Sequence, residues 1–166
     1  MDKFEIFSIR NFLIMIQVPH KGHRSAYEKE NLPVRESLIY HGDYTIQGGV
    51  RGIEKLVADN PDMTAVFVTN YEMTMGAVIG MNELDLKIPE QLSMIGFDNL
   101  QFARACSPKL TIVAQPTSGI AREVASIMLK RLGEAESEET EPITEKLGAE
   151  IIMGKSVRVL KEKENS

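Results

Sequence analysis

The feature that most constrains the fold is the alternation of short apolar runs with stretches whose apolar residues recur every three or four positions. Residues 64–69 (TAVFVT) are apolar and β-branched at almost every position, which is typical of a parallel strand covered on both faces. Residues 73–84 then carry apolar side chains at helical spacing. Because this pairing repeats along the chain without an internal sequence repeat, it predicts an α/β fold built from βαβ units.

The same reading divides the whole chain into elements. Six strands are predicted, at residues 12–18, 37–40, 64–69, 92–95, 110–114 and 151–153. Helices are predicted at residues 20–31, 45–59, 70–84, 100–105 and 117–132, followed by an acidic, solvated loop at residues 133–141. Thr45 and Asn70 precede two of these helices and are residue types that cap helix N-termini.

Charge and cysteine content narrow the class of protein. The formal charge is −5 and the sequence shows no cluster of basic residues that would form a basic surface. We therefore do not expect this chain to bind nucleic acid directly. Cys106 is the only cysteine, which excludes an intrachain disulfide and favours a reducing compartment. The longest apolar run, residues 12–18, is too short to span a bilayer and lacks the flanks of a signal peptide. We therefore expect a cytoplasmic protein.

Four polar or aromatic residues follow successive predicted strands. Tyr44, Asn70, Asp98 and Gln115 come directly after the strands that end near residues 40, 69, 97 and 114. Ligands of open parallel sheets bind outside the carboxyl ends of the strands. Amide and carboxylate groups beside an aromatic ring suit a small ligand rich in hydroxyl groups.

Each of these residues also has a purely structural explanation. Asn70 and Asp98 are equally well explained as N-caps of the helices that follow them. Tyr44 is of a type that more often packs against its neighbours than stacks on a ligand. The coincidence of all four at corresponding strand ends is what favours a binding site.

The chain lacks the motifs that catalysis or cofactor binding requires. It contains no phosphate-binding loop, no dinucleotide fingerprint and no nucleophile elbow. His20, His23 and His41 stand without a cysteine cluster or acidic partner, so no metal site is expected. Cys106 has no evident base nearby in sequence and is expected to be a packed thiol. The sequence predicts a binding protein rather than an enzyme, with no cofactor.

Five sequence blocks resemble the LacI/GalR (lactose-repressor) family of bacterial transcription regulators. These are residues 42–45 (GDYT), 64–77 (TAVFVTNYEMTMGA), 88–99 (IPEQLSMIGFDN), 108–116 (PKLTIVAQP) and 149–157 (AEIIMGKSV). The third and fourth blocks stand in the family's order at the family's separation, which makes their combination specific.

The resemblance implies a periplasmic-binding-protein-like (type I) fold, a doubly wound parallel sheet in each of two lobes. On that map residues 20–114 and 142–160 form the second lobe. Residues 115–141 form a crossover helix and acidic loop of the first lobe, residues 1–19 are unmatched, and residues 161–166 form a tail.

The resemblance also implies roles for individual residues. Tyr44, Asn70 and Asp98 fall where the family holds a sugar-like or purine effector, and Gln115 joins them as a candidate through its place after the fifth predicted strand. Helices 73–84 and 100–105 fall where family members form homodimers. The implied interface residues are Met73, Ala77, Met81, Leu100, Phe102 and Ala103.

Three positions depart from the family pattern. Tyr71 stands where an aspartate is usual, Pro19 where the effector-binding arginine is expected, and Gly154 where arginine is usual. The helix-turn-helix headpiece and most of the first lobe have no counterpart. We therefore expect the effector-sensing portion of a truncated repressor, which binds effector weakly and reaches operator DNA only through a headpiece. The alternatives are a fragment of a periplasmic sugar-binding transport protein and a small α/β enzyme fragment.

Overall fold

The chain forms one six-stranded sheet, seen in a computed structural model that describes residues 12–15, 21–98, 100–133 and 143–159. The strands lie in the order β2-β1-β3-β4-β5-β6, all parallel except β6, which runs antiparallel to β5. The strands are β1 Phe12–Met15, β2 Ile39–Tyr40, β3 Ala65–Val68, β4 Ser93–Phe97, β5 Thr111–Ala114 and β6 Glu150–Ile152. The helices are α1 Lys21–Lys29, α2 Ile46–Asp59, α3 Tyr71–Glu83, α4 Leu100–Ala105 and α5 Thr117–Gly133. The predicted α/β fold is confirmed.

The predicted elements differ from the observed ones mainly at their ends. The strand predicted at residues 37–40 is shorter, because Glu36–Leu38 form a 3₁₀ turn before β2. The first predicted strand begins at Phe12 as expected and is described only to Met15. Residues 1–11, 16–20, 99, 134–142 and 160–166 lie outside the described residues, and with them Pro19, most of the predicted acidic loop and the predicted tail.

Helices α2 and α3 cover one face of the sheet and form the core with it. Val66 and Val68 of β3 and Met94 of β4 are fully buried on that face, among apolar side chains of the two helices. The other face of β3, with Ala65 and Phe67, is only half-buried within the described residues. The expectation that β3 is covered on both faces is therefore met on one face alone.

The two predicted helix caps are confirmed. The Thr45 hydroxyl accepts a hydrogen bond from the Gly48 amide at 2.9 Å, which starts α2. The Asn70 side-chain oxygen accepts from the Met73 amide at 3.0 Å, which starts α3. Since both helices follow parallel strands, both caps lie at the carboxyl edge of the sheet.

The opposite, amino edge is closed by the segment that follows β6. The Ser156 hydroxyl donates to the Met94 carbonyl at 2.6 Å and accepts from the Thr111 amide at 2.8 Å. The Ser156 carbonyl also accepts from the Met94 amide at 2.8 Å. Ser156 is completely buried and satisfies backbone groups of both β4 and β5.

Four of the six residues predicted for a dimer interface belong instead to the core of this chain. Met73, Ala77, Met81 and Ala103 are each at most 2% exposed. Their side chains pack inward, so they cannot present a surface to a second copy, and that prediction is wrong for them. The family resemblance implied the interface, but the apolar face of α3 packs on α2 and the sheet within this chain.

The last helix, α5, has no buried side chain over residues 117–132. Its larger apolar side chains are mostly exposed: Val124 by 50%, Met128 by 59% and Leu132 by 81%. In the part of the chain that is described, no helix is long and apolar enough to cross a membrane.

A candidate ligand site at the carboxyl edge of the sheet

The four residues selected from the sequence lie at the carboxyl edge of the sheet. Tyr44 follows β2, Asn70 follows β3, Asp98 follows β4 and Gln115 follows β5. Because β3, β4 and β5 are neighbouring parallel strands, Asn70, Asp98 and Gln115 occupy successive positions along one edge.

Thr74 connects the ends of β3 and β4. Its hydroxyl donates to the Asn70 carbonyl at 2.7 Å and accepts from the Phe97 amide at 3.2 Å. The side chain is 2% exposed, and its methyl group faces Gly96, where a Cβ atom would lie 2.6 Å away. This buried hydroxyl fixes Asn70 relative to the residue just before Asp98. Sequence reasoning missed it, because a threonine on an apolar helix face carries no signal of its own.

Asp98 and Gln115 are joined through both carboxylate oxygens. The Gln115 amide donates to Oδ1 at 3.0 Å, and the Gln115 side-chain Nε2 donates to Oδ2 at 2.5 Å. The Asp98 amide in turn donates to the Val113 carbonyl of β5 at 2.8 Å. The pair is therefore held as a unit, and each carboxylate oxygen retains a lone pair that a ligand hydroxyl can use.

Asn70 acts both as a helix cap and as an available donor. Its Oδ1 atom is engaged by the Met73 amide, which confirms the structural explanation. Among the described residues, no hydrogen bond engages its Nδ2 atom, and the side chain is half-buried. The cap fixes the side-chain rotamer and leaves the amide nitrogen to donate.

Tyr44 and Asp98 share an unusual backbone conformation. Their φ angles are 62° and 54°, in the left-handed region that side chains other than glycine seldom adopt. Two of the four selected residues therefore carry backbone strain, which tends to occur at functional sites. Tyr44 is 44% exposed, so its ring presents a free surface rather than packing in the core.

The loop that carries Tyr44 is fixed by Asp43, which the sequence reading did not select as functional. Hydrogen bonds from Thr45 lower the pKa of the Asp43 carboxyl group, and the Arg51 guanidinium adds to this effect. The carboxylate is therefore the form of Asp43 that this loop holds.

A cavity of about 510 Å³ adjoins this edge of the sheet. Its walls are formed by Phe97, Gln115 and Pro116, by four residues of α5, and by four residues of the segment 143–149. Most of these side chains are apolar, and Glu123 and Glu145 are the acidic ones. Gln115 thus lies between the Asp98 carboxylate and this cavity. Within the described ranges, no group of three or more histidine, cysteine or acidic side chains is arranged to hold a metal ion.

The sequence of this chain is similar to a known domain family and to characterised proteins. The profile of the family described as "Periplasmic binding protein-like domain" matches residues 17–157. Catabolite control protein A of Priestia megaterium is 37% identical over 110 residues, which are 66% of this chain and 33% of that protein. The HTH-type transcriptional repressor PurR of Yersinia pestis is 35% identical over 113 residues, or 68% of this chain and 33% of the repressor.

Solved structures agree with this assignment. A complex of the transcriptional regulator CelR with cellobiose has a TM-score of 0.79 and 26% identity, over 89% of this chain and 46% of that one. A LacI family transcriptional regulator from Enterococcus faecium with bound ribose has a TM-score of 0.77 and 26% identity, over 92% and 58% of the two chains. This chain spans about a third of the length of its curated relatives and about half of the solved chains. It belongs to the periplasmic binding protein-like domain family, in the form found in LacI-family transcriptional regulators.

Proposed function

We propose that this chain is the ligand-sensing portion of a LacI-family transcriptional regulator, and that Tyr44, Asn70, Asp98 and Gln115 contact its effector. The observation that carries the proposal is the hydrogen-bonded series along the sheet edge. The Thr74 hydroxyl links Asn70 to Phe97, and the Asp98 carboxylate accepts twice from Gln115. Such a pre-formed polar edge beside an exposed aromatic ring suits a small ligand with several hydroxyl groups.

The chemistry of each group favours a sugar-like effector. Asp98 accepts hydrogen bonds from ligand hydroxyls, Asn70 donates through Nδ2, and the Tyr44 ring packs against an apolar sugar face. Two structural neighbours contain sugars, cellobiose in one and ribose in the other. A purine, which offers ring N–H donors and an aromatic face, is the second ligand class that this set of groups accommodates.

A regulator is favoured over a transport protein or an enzyme. Two curated relatives that match this chain carry the names of a catabolite control protein and a transcriptional repressor. In such a regulator the operator is contacted by a separate headpiece, and effector binding changes the geometry of a homodimer and so its affinity for DNA. We place the protein in the cytoplasm, where the free thiol of Cys106 stays reduced. The strand ends serve binding rather than catalysis.

We also propose that residues 20–114 and 142–160, together with strand β1 of the same sheet, form one lobe, and that residues 115–141 belong to the other, first lobe. The support is the exposure of α5, which buries no side chain over residues 117–132. The solved neighbours extend well beyond the matched part, since this chain covers 46% of one and 58% of the other.

The proposal is tested by titrating the isotope-labelled chain with ribose, cellobiose and hypoxanthine, monitored by two-dimensional NMR. We expect at least one of these ligands to shift the amide signals of Asn70, Asp98 and Gln115. The affinity should be weak, about millimolar, because the described residues form only one side of the site and leave Tyr44 and Gln115 exposed.

Asp98→Asn is the informative variant, and Asp85→Asn is its matched control. Both aspartates have φ at 54°, so both substitutions place asparagine in the same backbone conformation. Asp85 follows α3, at the far end of that helix from Asn70, so its substitution should leave the titration unchanged. Equal responses of the two variants, or no shift at residues 70, 98 and 115 with any ligand, would contradict the proposed site.

A further inference from the structure

We infer that Asp43 and Arg51 are positioning residues that hold Tyr44 in its left-handed conformation. The inference rests on the proposed function only in taking Tyr44 as a ligand contact. The arrangement itself is visible in the loop between β2 and α2. Neither residue is among the four that the sequence placed at the effector.

The Asp43 carboxylate spans the residue that it positions. Its Oδ1 atom accepts from the Thr45 amide at 3.2 Å and from the Thr45 hydroxyl at 2.7 Å. Its Oδ2 atom accepts from the Arg51 guanidinium at 2.7 Å. These bonds tie the residues before and after Tyr44 together, so the intervening backbone must turn sharply. The φ angle of 62° at Tyr44 is the backbone conformation that makes this turn.

Gly48 supplies the space that this arrangement needs. A Cβ atom at position 48 would lie 1.8 Å from Asp43 Oδ1, so any larger residue would displace the carboxylate. The Gly48 amide also donates to the Thr45 hydroxyl at 2.9 Å. The Thr45 hydroxyl therefore donates a hydrogen bond to Asp43 while it accepts one as the cap of α2. The loop and the start of the helix form one hydrogen-bonded unit.

Arg51 adds the anchor in α2. It lies in the second turn of the helix, so its bond to Oδ2 fixes the carboxylate relative to the helix axis. The Arg51 and Asp43 side chains are 52% and 48% exposed, and ion pairs of this kind contribute little to global stability. Their effect is local: they determine where the Tyr44 ring stands at the edge of the sheet.

The test compares Asp43→Ala, Arg51→Ala, Arg51→Lys and Gly48→Ala with the unsubstituted chain. The first readout is the strong intraresidue NOE between the amide and Hα protons of Tyr44, which a positive φ produces. We expect Asp43→Ala and Gly48→Ala to abolish it, Arg51→Ala to weaken it, and Arg51→Lys to restore most of it. Asp59→Ala is the matched control, because it removes the Lys55–Asp59 pair, of the same 2.7 Å length, from the same helix.

The second readout is affinity for ribose and cellobiose. For whichever sugar the unsubstituted chain binds, Asp43→Ala should raise the Kd about tenfold, and Asp59→Ala should not change it. If the NOE disappears and neither sugar binds the unsubstituted chain, the positioning role stands and the proposed ligand class fails. If the NOE persists in both Asp43→Ala and Gly48→Ala, the positioning role is refuted whatever the sugars do.

Discussion

Gly49 of α2 and Gly76 of α3 face each other where the two helices cross. A Cβ atom on Gly76 would lie 2.9 Å from the Gly49 Cα atom and 1.9 Å from the Ile46 carbonyl oxygen. The backbones therefore touch without intervening side chains, and this contact brings the starts of α2 and α3 together. Since Tyr44 precedes one helix and Asn70 precedes the other, the glycine contact also sets the distance between the two loops.

Gly76→Ala should destabilise the fold strongly. The new methyl group meets backbone atoms, which cannot move aside as a flexible side chain does, so we expect a loss of at least about 1–3 kcal/mol in the free energy of unfolding. Gly119→Ala in α5 is the control, because its Cβ would meet only ordinary contacts at 3.6 Å and 3.7 Å. That change should be neutral or stabilising by about 0.5–1 kcal/mol. Urea denaturation measures the free energy of unfolding of both variants. Equal values would show that α2 and α3 can move apart to accommodate a methyl group at position 76 without loss of stability.

Ser156→Ala should destabilise the sheet at its amino edge. The substitution leaves the Thr111 amide without its hydrogen-bond acceptor in a fully buried position, at a cost of about 1–3 kcal/mol. Ser118→Ala, at an exposed position in α5, should change the free energy of unfolding by less than about 0.5 kcal/mol. Thermal or urea unfolding measures the stability of the two variants. Equal free energies of unfolding for Ser156→Ala and Ser118→Ala would contradict the role of Ser156 at this edge of the sheet.

Cys106 should react slowly with thiol reagents in the folded protein. Burial raises the pKa of the Cys106 thiol above its ordinary value of 9.0, because the thiolate is poorly solvated there. The folded state therefore disfavours the thiolate, so this group's contribution to stability is present below pH 9 and falls as the pH rises above it. At pH 8, modification by a disulfide reagent should be slow in buffer and fast in urea. A folded-state rate as fast as that of the unfolded chain would contradict this prediction.

We expect the exposed apolar side chains of α5 to make the isolated chain self-associate, and the double substitution Met128→Glu and Leu132→Glu to reduce this self-association without loss of stability. Both side chains are more than half exposed, so a carboxylate there is solvated and breaks an apolar surface. We expect the double variant to sediment as a smaller species at high concentration and to unfold at an unchanged urea concentration. Ser118→Glu and Ser126→Glu, at exposed positions of the same helix, add the same charge elsewhere and serve as the control. Lower stability in the Met128 and Leu132 variant alone would mean that this face is buried within the chain.

Much of the fold was predictable because strand and helix periodicities are local. The apolar run around Val66 and the caps at Thr45 and Asn70 depend on residues close in sequence, and all three were predicted correctly. The placement of Met73, Ala77 and Met81 in a dimer interface, which the family resemblance implied, was wrong, since their helical spacing marks an apolar face without showing what covers it. Only the packing of α3 on α2 and the sheet shows that this face is internal.

The sequence by itself determined the α/β class, the family and the identity of four residues at strand ends, because these depend on local pattern and on motif order. The tertiary structure decided how those residues are held. The Thr74 bridge, the engagement of Asp98 by Gln115 and the turn of Tyr44 over Asp43 join groups on different strands, or depend on backbone angles that no residue type dictates. The contacts of Thr74 and Asp98 arise only when distant segments meet, and the Tyr44 turn depends on backbone angles, so the residue types could be read from the sequence but their geometry could not.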